Sequence, residues 1–328
     1  MPTALITGGT GFLGSYVVRA LRTLGWTVVA THVRVPVRSP PPGDGVRVEQ
    51  LEIRDASAVD RLVRSVEPDV IYHFAGQAYV VPSWDDPGAT FDVNLSGTLH
   101  LLEAIRRSGR SVRLAFAGSG TEYGEPEEVP TPESAPLLPT SPYAVSKAAA
   151  DLLCYQYHRS YGLPVFRLRI FGTTGVGKRG DVCNDFASQL ARLENDDAPP
   201  VLRVGALDKR RDIMDVRDAV GAMVRIVERG TPGEAYNIGR GEATRIRDLL
   251  DTLLRFARRT VTVEEEPARL RRVDEPAHIA DIARLRALGW SATIPLAESL
   301  EQILNDWRTR TPVAVAAGGS PRAAPRAP

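Results

Sequence analysis

Short apolar runs alternate with amphipathic stretches through the first half of the chain. Ala4-Leu5-Ile6 reads as a buried strand, and Leu13 to Leu24 then places Val17, Val18, Leu21 and Leu24 on one helical face. The pattern repeats: strands are predicted at Thr27–Thr31, Val46–Leu51, Val70–Phe74 and Val112–Ala117, with helices at Val59–Val66 and Ala89–Arg107. Ser141-Pro142 opens a further long helix, Tyr143 to Tyr161, because proline fits a first turn where its missing N–H would have no partner. A strand from Pro164 to Phe171 follows. Alternation of this kind implies an α/β fold, a doubly wound parallel sheet with right-handed crossovers. From Gly172 onward it loosens into loops, with short helices near Phe186–Leu193, Val216–Val227, Ile246–Phe256 and Leu296–Trp307.

Composition narrows the function classes. The 328 residues carry 41 Lys and Arg against 40 Asp and Glu, a net charge of +1. So even a balance gives no global basic field for nucleic acid, although a local basic pocket for a phosphorylated small molecule stays possible. Cys154 and Cys183 are too few for a disulfide framework and lack metal-ligand spacing, and Cys154 is expected as a core thiol. No apolar run approaches membrane-spanning length, and Met1 to Thr7 reads as a strand rather than a secretion signal. A cytoplasmic, soluble protein without a nucleic-acid, membrane or metal partner is expected.

Two strings carry the chemistry. Thr7-Gly8-Gly9-Thr10-Gly11-Phe12-Leu13-Gly14 joins the first strand to the first helix. Gly8 permits the reversal, Gly11 lets a pyrophosphate approach the backbone, and Gly14 lets helix and strand pack closely. The phosphates would rest on the helix N-terminus, with Thr10, Phe12 and Leu13 alongside. A glycine trio can be an ordinary turn; the strand–turn–helix setting favours a Rossmann-like dinucleotide site. At the end of the second strand, where an acid would hold an NAD ribose, the chain reads Thr31-His32-Val33-Arg34, with no acid before Asp44. A guanidinium suits a 2′-phosphate, so NADP(H) is expected rather than NAD, held by Arg34 first and by His32 and Arg38 less directly. Glu52 and Ile53 are placed to border the adenine.

The second string, Tyr143-Ala144-Val145-Ser146-Lys147, sets a phenol and an ammonium four residues apart on one helical face. A nearby ammonium favours the phenolate, making tyrosine usable as an acid or base near neutral pH, and the lysine can also hold the nicotinamide ribose. Ser119, at the end of the preceding strand, can bond the same substrate oxygen. Such pairs are common on ordinary helices; the dinucleotide turn upstream and Ser119 make this one specific.

Further strings are His73-Phe74-Ala75-Gly76-Gln77, Asn94-Leu95-Ser96-Gly97-Thr98, Glu122-Tyr123-Gly124, Arg211 to Asp218, Tyr236-Asn237-Ile238 and Leu270 to Pro276. With the two above, they make the chain resemble the extended short-chain dehydrogenases/reductases over Thr3 to Trp307. Within these, the nearest resemblance is to GDP-4-keto-6-deoxy-D-mannose reductases, relatives of GDP-mannose 4,6-dehydratase. The resemblance implies that Ala75, Gly76 and Ile170 line the cofactor and that Asn94 braces the catalytic helix. It implies Arg211 and Arg271 on the sugar-nucleotide diphosphate, and Thr121, Gly172, Lys178 and Asp185 on the substrate side. It also implies a homodimer through the helices Ala89–Arg107 and Tyr143–Tyr161. On this reading 1–171 is mainly the dinucleotide-binding domain with the catalytic helix. Residues 172–311 form a substrate-binding lobe interleaved with the sheet, and 312–328 a disordered tail.

Two departures bear on the reaction. Related dehydratases place a Glu two residues before the Tyr-Gly of this loop; here that position is Thr121, and Glu122, one residue off, would point the other way in an extended loop. A 4,6-dehydratase needs that carboxylate, whereas a reductase does not, so reduction of a 4-keto-6-deoxyhexose is expected. Where these reductases carry Phe-Asn-His, the chain reads Phe171-Gly172-Thr173, so the sugar or base can differ. The alternatives are a 4- or 3,5-epimerase, a 4,6-dehydratase, or a catalytically silent dinucleotide-binding regulator, although a silent descendant would usually have lost Tyr143 or Lys147.

Overall fold

The computed structural model describes residues 1–33, 45–195, 199–269 and 277–310. In chain order it gives β1 (Thr3–Thr7), α1 (Phe12–Thr23), β2 (Thr27–His32), β3 (Val46–Gln50), α2 (Ala56–Val66) and β4 (Val70–His73). Next come α3 (Val80–Asp85), α4 (Pro87–Phe91), α5 (Gly97–Ser108), β5 (Arg113–Ser119), α6 (Pro142–Tyr161) and β6 (Val165–Ile170). These six strands and Ala235–Ile238 form a seven-stranded parallel sheet in the order β3-β2-β1-β4-β5-β6 and then Ala235–Ile238. The expected doubly wound sheet is present. Because β1 lies between β2 and β4, the crossovers diverge there and a crevice opens beyond the carboxyl ends of these strands.

Apolar faces cover both sides of the sheet. Val17, Val18 and Leu21 of α1 and Val220, Met223 and Ile226 of the helix Val216–Arg229 pack on one side. Val59 and Val63 of α2, Leu101 and Ile105 of α5 and Cys154 of α6 pack on the other. A third apolar cluster gathers Phe186, Leu190, Leu249, Leu253, Ile303 and Leu304 from the helices Val182–Leu193, Ile246–Arg255 and Leu296–Arg310. Cys154 is buried, as expected of a core thiol.

Several expectations are corrected. Leu24 is 56 % exposed rather than buried, because α1 ends at Thr23 and the chain reverses at Gly25, whose φ is +80°. The single helix expected over Ala89–Arg107 is two helices joined by one π turn, Asp92–Ser96. Tyr236-Asn237-Ile238, quoted above only as a string, lies in the sheet strand Ala235–Ile238; Asn237 interrupts its apolar pattern and donates instead to Thr131 and Asp281 carbonyls. Helix α3 carries too few residues for a helical period to show. Among the described residues no helix is long and apolar enough to cross a membrane.

Candidate active site

The turn after β1 is built of backbone alone. Gly8 has φ +68°, and a Cβ on it would lie 2.8 Å from the Ala75 nitrogen. A Cβ on Gly14 would strike the Gly8 carbonyl, whereas one on exposed Gly11 would meet only that same oxygen, at 3.1 Å. Gly11 caps α1 without a side-chain acceptor, so the first-turn N–H groups keep their donors for an anion. Thr10, Phe12 and Leu13 are half-buried around the turn. This bare cradle fits a dinucleotide pyrophosphate. Gly8 N–H donates to Thr31 Oγ1 at 3.1 Å, tying the turn to β2. His32, half-buried at the end of β2, has a buried Nδ1 with no hydrogen-bond partner among the described residues. Arg34 and Arg38 lie outside the described residues. Glu52 accepts from the Arg54 backbone N–H and guanidinium, and the Ile53 side chain packs against Gly97.

Below the turn runs a buried relay. His73 Nδ1 lies 2.7 Å from Thr7 Oγ1, and its Nε2 lies 3.1 Å from Thr98 Oγ1, which donates to the Asn94 carbonyl at 2.6 Å. Thr98 has spent its proton, so Nε2–H must be the donor and Thr7 must donate to Nδ1. The imidazole is neutral: burial, with a smaller contribution from the Lys147 charge, holds its pKa down to about 3. From the π turn, Asn94 Oδ1 accepts from Gln77 N–H at 2.8 Å and Nδ2 donates to Ser146 Oγ at 2.9 Å. Ser146 in turn donates to the Tyr143 carbonyl. Asn94 therefore ties the Gly76 loop to the first turn of α6. A Cβ on Gly76 would lie 2.9 Å from Asn94 Oδ1 and 3.7 Å from Lys147 Nζ.

Helix α6 begins where Ser141 Oγ accepts from Ala144 N–H and Pro142 occupies the first turn. Tyr143 N–H donates to Ser83 Oγ of α3 at 3.1 Å, a support that the sequence did not reveal. Ser119 Oγ lies 2.9 Å from Thr121 Oγ1. Lys147, 7 % exposed, donates to the Ala117 carbonyl at 2.8 Å and stands 5.4 Å over the Phe116 ring. The electrostatics differ from the expected phenolate. Burial, opposed by Ser119 and reinforced by Glu122, pushes Tyr143 up to about 12, although the residue as a whole is only half-buried by surface. Burial lowers Lys147 to about 8 against the pull of Glu122.

The loop after β5 is a tight helical turn, Gly120–Tyr123, not an extended segment. Ser119 caps it, and Glu122 reaches back to accept from Ser119 N–H at 2.7 Å. Glu122 is thus fully buried inside the protein, and Thr121 precedes it in the turn. The spacing Ser119-x-x-Glu122 is a capping box, a signal that was legible in the sequence.

The remaining candidates lie on separate elements after β6. Ile170 closes β6, and Gly172 pairs with Ile213, where a Cβ would strike the Asp212 carbonyl. Lys178 donates to the Thr173 carbonyl and stands 5.5 Å over the Phe12 ring, beside the first turn of α1. Tyr16 fixes the same loop by donating to the Val176 carbonyl. Asp185 accepts from Gln189 and from Arg269, each at 2.9 Å. Arg211 is half-buried and donates to the Arg210 carbonyl; Arg271 lies outside the described residues. His278 was missed: it stacks on Phe171 with centroids 4.6 Å apart, and its Nε2 lies 2.9 Å from the Gly120 carbonyl. It sits on a two-residue strand, which leaves no periodic signal.

Comparisons with known proteins follow the same lines. Residues 5–303 match the family described as GDP-mannose 4,6 dehydratase. The chain is 36 % identical over 247 residues to the GDP-6-deoxy-D-mannose reductase of Pseudomonas aeruginosa, covering 74 % of this chain and 81 % of that one. It is 31 % identical over 309 residues to a UDP-glucose 4-epimerase of Streptomyces lividans, covering 88 % and 90 %. Among solved structures, RMD from Pseudomonas aeruginosa complexed with NADPH superposes with a TM-score of 0.82 at 31 % identity, covering 95 % of this chain and 99 % of that one. Thermus thermophilus UDP-glucose 4-epimerase complexed with NAD gives 0.84 at 30 % identity, covering 94 % and 100 %.

Proposed function

Because the chain belongs to the GDP-mannose 4,6 dehydratase family, and so to the NAD(P)-dependent enzymes that modify nucleotide sugars, we propose that it is an NADPH-dependent 4-keto-6-deoxyhexose reductase. Its substrate on this reading is nucleotide-activated, of the GDP-4-keto-6-deoxy-D-mannose type. One observation carries the choice of reduction. Glu122 is turned inward onto Ser119 N–H, and the position that the resemblance to dehydratases assigns to the eliminating carboxylate holds Thr121.

NADPH, when bound, supplies the hydride. Gly8, Thr10, Gly11, Phe12, Leu13 and Gly14 would hold its pyrophosphate, His32 and Arg34 its 2′-phosphate, and Lys147 its nicotinamide ribose, with Ala75, Gly76 and Ile170 alongside. Tyr143 gives its hydroxyl proton to O4 of the ketone as the alcohol forms, and Ser119 Oγ bonds the same oxygen. A phenol raised to about 12 stays protonated at neutral pH yet remains a stronger acid than the alcohol being formed, which suits reduction better than its reverse. Arg211 and Arg271 are assigned to the sugar-nucleotide diphosphate, and Gly172, Lys178 and Asp185 to the surrounding pocket. The apolar side chains Leu99, Leu152, Tyr155 and Tyr161, exposed on α5 and α6, support a homodimer through these helices.

The test follows NADPH absorbance with GDP-4-keto-6-deoxy-D-mannose generated in situ, beside an NADH control. Stoichiometric NADPH loss with a deoxyhexose product is the expected result. A second reading, a 4-epimerase, draws on the likeness to the Streptomyces and Thermus enzymes. It predicts NAD retained through purification and interconversion of 4-epimeric nucleotide sugars without net cofactor consumption.

A further inference from the structure

Strand β5 outruns its neighbour. Its last pair with β4 is His73↔Phe116, yet β5 continues to Ser119. Arg113 N–H donates to the Asp69 carbonyl on the β4 side, and alternate residues of a strand turn their amide groups to the same edge. The Ala117 carbonyl and the Ser119 N–H therefore emerge on that edge where β4 has ended. Two side chains complete it: Lys147 Nζ donates to the Ala117 carbonyl at 2.8 Å, and Glu122 Oε1 accepts from Ser119 N–H at 2.7 Å. An ammonium and a carboxyl are thus held on neighbouring backbone groups of one strand end, beneath the Ser119 hydroxyl.

Glu122 is fully buried and only half bonded. Its Oε2 has no hydrogen-bond partner among the described residues, and Arg169 Nε lies 3.6 Å away. Arg169 directs its donors to Asp151, to the Tyr123 hydroxyl and to the Glu133 carbonyl instead. A buried carboxyl oxygen left without a donor is expensive, so hydrogen bonding alone does not account for an acid here.

From this juxtaposition we propose that Glu122 is a positioning residue of the active site: it fixes Ser119 through the backbone and sets its carboxyl beside the Lys147 ammonium on the same strand end. The inference rests on Ser119, Tyr143 and Lys147 being the reacting set. The groups facing Glu122 are Lys147, Asp151, Tyr143 and Cys154 from α6, Arg169 from β6, and Tyr123 on its own turn. Burial and Asp151 push Glu122 upward, while Arg169 and Lys147 pull it down. Reciprocally, Glu122 raises both Lys147 and Tyr143.

Glu122→Gln keeps an acceptor for Ser119 N–H and removes the charge. In NADPH-dependent ketone reduction, the basic limb of the kcat profile should move down by about one pH unit, the size of effect expected of a close buried charge. The KM for NADPH should stay within about twofold. A variant that loses only thermal stability, with its basic limb unmoved, overturns the proposal. A second measurement needs no turnover. Infrared titration of the full chain identifies the Glu122 carboxyl as the band absent from Glu122→Gln. In Lys147→Met its midpoint should rise by one pH unit or more, because its counter-charge is gone. An unmoved midpoint overturns the pairing even if the enzyme proves to be a reductase. A shifted midpoint with no ketone reduction supports the pairing and refutes the proposed reaction.

Discussion

The two sides of the candidate site are held differently. On the side formed by β1 to α6, Thr7, His73, Thr98, Asn94, Ser146 and Tyr143 are joined by successive hydrogen bonds, and Lys147 and Ser119 are fixed to the end of β5. After Gly172, the candidates Lys178, Asp185 and Arg211 sit on three different elements, Lys178 bonded within its own loop, Asp185 to Gln189 and Arg269, and Arg211 to the Arg210 carbonyl. Hydride and proton transfer require reacting atoms within tenths of an ångström, so the first side is preorganised by the fold. Recognition of a sugar nucleotide tolerates more adjustment.

The sharpest way to break this contrast is to remove the proton donor. Tyr143→Phe should reduce kcat for NADPH-dependent reduction by roughly three orders of magnitude, within the range for a positioned general acid. NADPH affinity, followed by nicotinamide fluorescence, should change little. Near-normal turnover would show that the rigid side is scaffolding rather than chemistry.

Next in size is the turn that carries no side chains. Gly8→Val places a β-branched residue at φ +68°, with its Cβ 2.8 Å from the Ala75 nitrogen. Left-handed backbone strain alone costs on the order of 1–3 kcal/mol, and the collision adds to it. A lowered melting temperature and at least tenfold weaker NADPH binding are expected, read by calorimetry and by fluorescence titration. Gly11→Ala, with only the Gly8 carbonyl nearby, should lose binding and keep stability.

The same contrast decides what could be read from the chain. The turn at Gly8–Gly14 and the strands β1 to β6 were legible because their signals are local: a glycine spacing and a repeated apolar run. The Tyr143–Lys147 pair was legible as a spacing, but its electrostatics were not. Lys147 is turned to the Ala117 carbonyl, and burial, a property of the assembled fold, outweighs any charge on the phenol. Glu122 illustrates the boundary. Its capping box was written in Ser119-x-x-Glu122, yet its reach to the edge vacated by β4 depends on where β4 stops. After Gly172, the strands Gly172–Thr174, Arg210–Arg211 and Ala277–His278 are too short to show a period, and their pairings join distant segments.

A smaller effect probes the relay below the turn. His73 is held near pKa 3 in the folded protein against about 6.5 when unfolded. Between these values the unfolded chain binds one more proton, so stability is full above pH 6.5 and is lost as pH falls toward 3. The slope is about 1.4 kcal/mol per pH unit. Denaturant unfolding between pH 6.5 and 5 should show that value as the difference in slope between wild type and His73→Asn, because the buried carboxyls Glu122 and Asp212, whose pKa values burial raises, titrate in both. Equal slopes would mean that the imidazole accepts a proton without disturbing Thr7 and Thr98.

The smallest predicted effects separate two cations that sequence reasoning placed together on the substrate. Lys178 stands over Phe12 in a loop that Tyr16 ties to α1, whereas Arg211 lies on the strand Arg210–Arg211, paired with Thr244–Arg245 and Ala277–His278. If location determines the partner, Arg211→Ala should raise the KM for the sugar nucleotide about tenfold, near 1.4 kcal/mol, and leave NADPH affinity intact. Lys178→Met should do the reverse more weakly, loosening NADPH about threefold because its ammonium is already engaged with Thr173. Steady-state kinetics with each reactant varied in turn distinguishes them. A shared effect on the sugar nucleotide alone would return Lys178 to the substrate pocket. The looser side of the site would then extend across to the first turn of α1.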